Sequence, residues 1–247
     1  MKNQYIGDIG DYGKYGLLRF LRDSGISVGV NWYLTPCDGR ADGNHTEYLS
    51  DDRMRVYDPQ VYDAMRRIAF RKDKTIRMVE REGILRDVCF YNALLDLSGL
   101  HWRERTEARL KWHEGALRSL QDVELVFADP DNSLSSNKRP TQVDAQKYIL
   151  PGEIEAFYRR GQQVLYYHHR SRKDEKGWLA EKRQIMNWLP DASLLALSFH
   201  RWTARTYIFV LHEDVYPLYH RMLDGFLHTE WGSHRVDGKV PFTIESI

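Results

Sequence analysis

The stretch Leu125-Val126-Phe127-Ala128-Asp129-Pro130-Asp131-Asn132 decides how this chain is read. Val126 and Phe127 favour a strand, and the apolar run around them predicts a buried one. Pro130 lacks a backbone N–H and fixes its own φ, so the strand must stop there. In an open α/β sheet, ligands bind outside the carboxyl ends of the strands. Asp129, Pro130, Asp131 and Asn132 are therefore the candidate catalytic corner. The plainer reading is a solvated turn, because Asp, Pro, Asn and Ser are common turn residues.

Outward from that strand, apolar runs alternate with helical stretches, the pattern of a βαβ fold with a mainly parallel sheet. Val28 to Leu34 reads as the first strand, ending in the turn Thr35-Pro36-Cys37-Asp38-Gly39, and Gln163 to His168 as the third. Ser193 to Phe199 and Arg205 to Leu211 are separated only by His200-Arg201-Trp202-Thr203-Ala204. That gap is too short for a helical crossover, so the two must pair as an antiparallel hairpin. Periodicity predicts helices over Tyr15 to Asp23, Pro59 to Phe70, Arg103 to Leu120, Ile154 to Arg160, Glu175 to Trp188 and Pro217 to Leu227. Leu110, Ala116, Leu117 and Leu120 form the expected apolar side of the third of these. The expectation is a single α/β domain over residues 1–247, with residues 50–100 as a helical insertion.

Composition sets the outer bounds. With 247 residues, 42% hydrophobic and 13% aromatic, the chain can fill one sizeable core or at most two small ones. A net charge of +1 gives no global pull toward polyanions, so any such contact must come from local clusters. Cys37 and Cys89 lack CxxC spacing, which excludes a disulfide framework and a zinc knuckle. The opening MKNQYIGDIG has no apolar signal core, and no run approaches the roughly 18 apolar residues of a membrane span. A cytoplasmic protein with no membrane partner is expected.

Three further constellations carry possible chemistry. In Gly7-Asp8-Ile9-Gly10-Asp11-Tyr12-Gly13-Lys14-Tyr15-Gly16, glycines permit close backbone approach to a ligand, and Asp8, Asp11 and Lys14 would share one helical face. The acidic loop from Thr35 through Asp38 and Gly39 to His45 repels phosphate but suits a ribose hydroxyl or a cationic group. Third, Tyr166-Tyr167-His168-His169-Arg170-Ser171-Arg172-Lys173 ends a strand in basic groups that can neutralise phosphates, with a tyrosine available for stacking. Adjacent histidines on a strand point to opposite faces, so one of His168 and His169 can face a given site. Lys138, Arg139 and Lys147 could add to the same rim.

Taken together, these residues resemble Rossmann-like methyltransferases that use S-adenosylmethionine, closest to the RlmJ type that methylates an adenine amino group in ribosomal RNA. That family carries an N-terminal motif N-x-x-D-x-x-K-H, whose spacing matches Asp8 to Tyr15. Its D-P-P-Y motif falls on Asp129-Pro130-Asp131-Asn132 and its cofactor loop on Leu34 to Gly43. The resemblance implies that Asp11, Lys14, Thr35, Asp38 and Gly39 lie near S-adenosylmethionine, and that Asp129 and Pro130 accept and orient the amino group. It also implies a nucleic-acid partner, held by His168, His169, Arg170 and Arg172. Two departures stand out: the glycine-rich cofactor turn is degenerate, and Asn132 replaces the aromatic that stacks on a flipped base.

The extra carboxylate, Asp131, supports a rival. Asp38, Asp129, Asp131 and His168 on adjacent strand ends could hold a divalent metal, Mg or Mn, whose bound water attacks a phosphodiester. That would be a nuclease on a methyltransferase-like frame. A catalytically silent module that binds nucleic acid or protein is the third reading.

Overall fold

The computed structural model describes residues 1–39, 45–169, 184–201 and 205–245. Among them, one seven-stranded sheet is built from β1 (Val28–Asn31), β2 (Cys89–Tyr91), β3 (Leu125–Ala128), β4 (Gln163–His169), β5 (Ala192–Phe199), β6 (Arg205–His212) and β7 (Phe242–Glu245). The spatial order is β2-β1-β3-β4-β6-β5-β7. β1 to β4 run parallel, whereas β6 lies antiparallel between β4 and β5, and β7 is antiparallel to β5. After β1 the chain adds β2 on one side, then crosses back to place β3 on the other. The reversal makes a topological switch point between β1 and β3, where Asn31 is level with Ala128.

Strand alternation divides the core into two layers. Val28, Val30, Leu125, Phe127 and Leu165 pack with α1 (Ile9–Asp23), α2 (Pro59–Ala69), α6 (Tyr216–His228) and α7 (Glu230–Ser233) on one face. Val126, Ala128, Val164 and Tyr166 pack on the other, with α4 (Trp102–Ser119) and α5 (Pro151–Tyr158). β1 and β3 are buried at every position, as parallel strands covered by helices must be. No helix of the described residues is long and apolar enough to cross a membrane.

Several boundaries differ from the sequence expectation. β1 stops at Asn31 instead of Leu34, because Tyr33 adopts a φ of 45°, which no strand can continue. α1 begins at Ile9 instead of Tyr15, capped by Asp8, whose carboxylate accepts from the Gly10 N–H at 2.7 Å. Its glycines serve packing more than ligand approach. A Cβ on Gly10 would lie 2.0 Å from Arg205, on Gly13 2.5 Å from Phe199 and on Gly16 2.3 Å from Trp231.

The apolar side expected for α4 is partly wrong: Leu110 is 58% exposed, and the helix instead buries Arg109, Trp112, His113 and Ala116. Arg109 turns inward because it meets a buried carboxylate, Glu153. The stretch 50–100 contains α2 and α3 (Ile76–Arg81), but also β2, which extends the main sheet. The helix expected over Glu175 to Trp188 falls largely outside the described residues, of which 184–188 are helical.

Candidate functional site

The loop after β1, the corner after β3, the tail of β4 and the first turns of α1 converge on one cleft of about 310 Å³. It sits at the switch point of the sheet. Asp38 enters from the first element, Asp129 to Asn132 from the second, His169 from the third, and Asp8, Asp11 and Lys14 from the fourth. The helical spacing of those last three residues does bring them onto one side of α1.

Lys14 is the hub. Its Nζ donates to Asp129 Oδ2 at 2.6 Å and to Asp11 Oδ1 at 2.8 Å, all three side chains being buried. Burial alone would strip the lysine of its proton, but the two carboxylates hold its pKa well above the ordinary value, so it stays an ammonium. Two carboxylates share that one cation. Burial, helped by Asp11, accordingly lifts the Asp129 carboxyl above its usual value against the pull of Lys14.

Asp131 faces elsewhere. Its carboxylate lies 2.8 Å from the Met1 amino group and accepts from the Thr35 hydroxyl at 2.9 Å. Burial would raise its pKa, yet the amino group, Lys2 and Thr35 hold it below the ordinary value. Thr35 is thus tied to the corner after β3, while Gly39, with a φ of 69°, stands outside the cleft lining. Asp38 is bound by Lys2 at 2.5 Å, with Lys147 at 3.9 Å.

The opposite end of the cleft is closed by Asp8 and Arg205, paired at 2.6 Å. Burial disfavours the Arg205 charge, but Asp8 more than restores it. His169 lies here, and burial together with Arg205 lowers its pKa, which keeps it neutral at pH 7. His168 is on the other face, buried beside Tyr166 at 6.2 Å between ring centroids. Arg170 and Arg172 lie outside the described residues.

The four residues of the metal reading do not all share the cleft: Asp38, Asp129 and Asp131 line it, each ion-paired to a cation, while His168 is absent from its lining. Among the described residues, no group of three or more His, Cys, Asp or Glu is placed to hold a metal ion.

His45, at the end of the acidic loop, lines the cleft too, and so do Lys2, Arg205 and Tyr207, which sequence reasoning did not assign to it. Arg205 meets its partner Asp8 across 197 residues, so no local pattern could have revealed the pair. Lys147 does join the rim as expected, whereas Lys138 is paired with Asp144. Acidic and basic groups interleave along the walls. Such a cleft suits a zwitterionic or hydroxyl-bearing ligand better than a bare polyphosphate.

No protein-family model matches the chain, and no curated protein matches it. A solved structure with a similar fold is protein LPL1258 from Legionella pneumophila strain Philadelphia 1, described with the family model DUF519. The two share 12% identity and a TM-score of 0.50, over 98% of this chain and 97% of that one. At that identity the likeness speaks to fold alone.

Proposed function

We propose that this protein transfers a methyl group from S-adenosylmethionine to an exocyclic amino group of a nucleic-acid base. One observation carries the reading: a buried aspartate, Asp129, opens onto a cleft at the sheet's switch point, with Oδ2 fixed by Lys14 at 2.6 Å. Ligands of open α/β sheets bind at this place.

The residues fit the cofactor. Asp38, on the rim after β1, suits a ribose diol. Arg205 lines the cleft, and its buried Nη1 has no hydrogen-bond partner among the described residues, which suits a carboxylate. The cofactor would supply an electrophilic methyl group on a sulfonium.

The chain's own residues do the rest by positioning. Asp129 Oδ1 and the Pro130 carbonyl hold the amine so that its lone pair faces into the cleft. Lys14 keeps the Asp129 carboxylate from rotating, and alignment of this kind supplies most of the rate in such reactions. The proton that the amine sheds passes to Asp129, whose carboxyl is already lifted by burial. Tyr167 lines the cleft and offers the ring that Asn132 cannot.

The test is transfer of label from methyl-labelled S-adenosylmethionine to adenine-containing RNA or DNA. Wild-type protein transfers label, and Asp129→Asn does not, while its circular dichroism is unchanged. Full transfer by Asp129→Asn would reject the assignment.

A further inference from the structure

We infer that Arg109 and Glu153, on the side of the sheet opposite α1 and lining no part of the cleft, are positioning residues that hold both of its loops through one buried ion pair. Arg109 Nε and Nη2 donate to Glu153 Oε1 and Oε2 at 2.7 and 2.9 Å, with the two residues only 2% and 6% exposed. Each partner then reaches toward a different loop.

On one side, Glu153 Oε2 accepts from the Tyr33 hydroxyl at 3.0 Å. Tyr33 is fully buried and sits at a φ of 45°, in the left-handed region that a non-glycine residue keeps only where its surroundings over-determine it. It is the pivot between β1 and the loop that carries Thr35 and Asp38. On the other side, the guanidinium donates to the Ala145 and Tyr148 carbonyls, each at 2.7 Å. Between them, the Lys147 carbonyl accepts from the Asn132 N–H at 2.9 Å, which anchors the corner after Asp129. The two loops finally meet where the Thr35 hydroxyl donates to Asp131.

Stability alone explains this pair poorly, because replacing a buried ion pair by well-packed apolar residues is often neutral or stabilising. Geometry explains it. The pair enforces a strained backbone at one loop and ties down the other, so Asp38 and Asp129 keep a fixed separation.

The test compares Tyr33→Phe and Glu153→Gln with the intact protein, by amide hydrogen exchange and by calorimetric titration with S-adenosylmethionine. Tyr33→Phe removes a single hydroxyl from a residue that keeps its ring, so it remains informative if Glu153→Gln fails to fold. Exchange should quicken by about tenfold at Thr35 in both variants and at Asn132 in Glu153→Gln, the scale of one lost hydrogen bond to a charged group, with Phe209 in β6 unchanged. Uniform quickening across the sheet, or none, would overturn the inference.

The affinity arm rests on the proposed cofactor; the exchange arm does not. Local quickening with weakened cofactor binding supports the positioning role, and local quickening with undiminished binding overturns it. Local quickening in a protein that never binds S-adenosylmethionine would keep the clamp and reject the function.

Discussion

Lys14 is one ammonium between two buried carboxylates, and its removal takes from both the cation they are ion-paired to. Lys14→Met should therefore cost about 3–5 kcal/mol, the usual penalty for breaking a buried ionic contact. The deficit should depend on pH with a definite sign. In the variant, Asp11 and Asp129 repel, so one carboxyl titrates above its unfolded value and the penalty fades as pH falls and it takes up a proton. Denaturant melts at about pH 8 and about pH 5 should show the smaller deficit at the lower pH. An equal deficit at both would mean that Lys14 matters for packing only. The intact protein moves the other way on further acidification. Glu153, which burial would raise, is held below its ordinary value of 4.5 by Arg109, so its contribution is present above that value and lost beneath it. Spacing along α1 made Asp8, Asp11 and Lys14 legible as a unit. The partners they select, Arg205 and Asp129, come from strands far along the chain and carry no local mark.

At the scale of elements, the glycines of α1 leave room for Arg205 and Phe199 of the antiparallel strands and for Trp231 of α7. A helix-interior glycine usually gains stability on conversion to alanine. Gly13→Ala should reverse that sign and cost about 1–3 kcal/mol, since its Cβ meets the buried Phe199 ring at 2.5 Å. Gly152→Ala in α5, where a Cβ meets nothing within 4 Å, should be neutral or gain about 0.4–1 kcal/mol. Paired thermal melts read the contrast, and stabilisation by both would show that α1 does not need its glycines. The long apolar strands and the hairpin were legible because buried parallel strands and short connections leave strong signals. β2 and β7 were not, being short and partly exposed edge strands. The buried face of α4 was misread because Arg109 goes inside only when Glu153 is there to receive it, and that contact spans 44 residues.

Across the whole molecule, the order β2-β1-β3-β4-β6-β5-β7 creates a crevice between β1 and β3, and described residues of the α1 start, the loop after β1, the corner after β3 and the end of β4 line it. The parallel half of the sheet supplies the cleft's floor, and the antiparallel half supplies Arg205 at its far wall. The buried Arg109–Glu153 pair holds the loops of that floor from behind. What the crevice receives decides the function, and calorimetric titration of the full chain with S-adenosylmethionine tests that most directly. One micromolar site is expected, competed by S-adenosylhomocysteine, weakened in Asp38→Ala and retained in Asp129→Asn. Absence of binding to S-adenosylmethionine, with manganese or magnesium binding that is lost in Asp131→Ala, would contradict it.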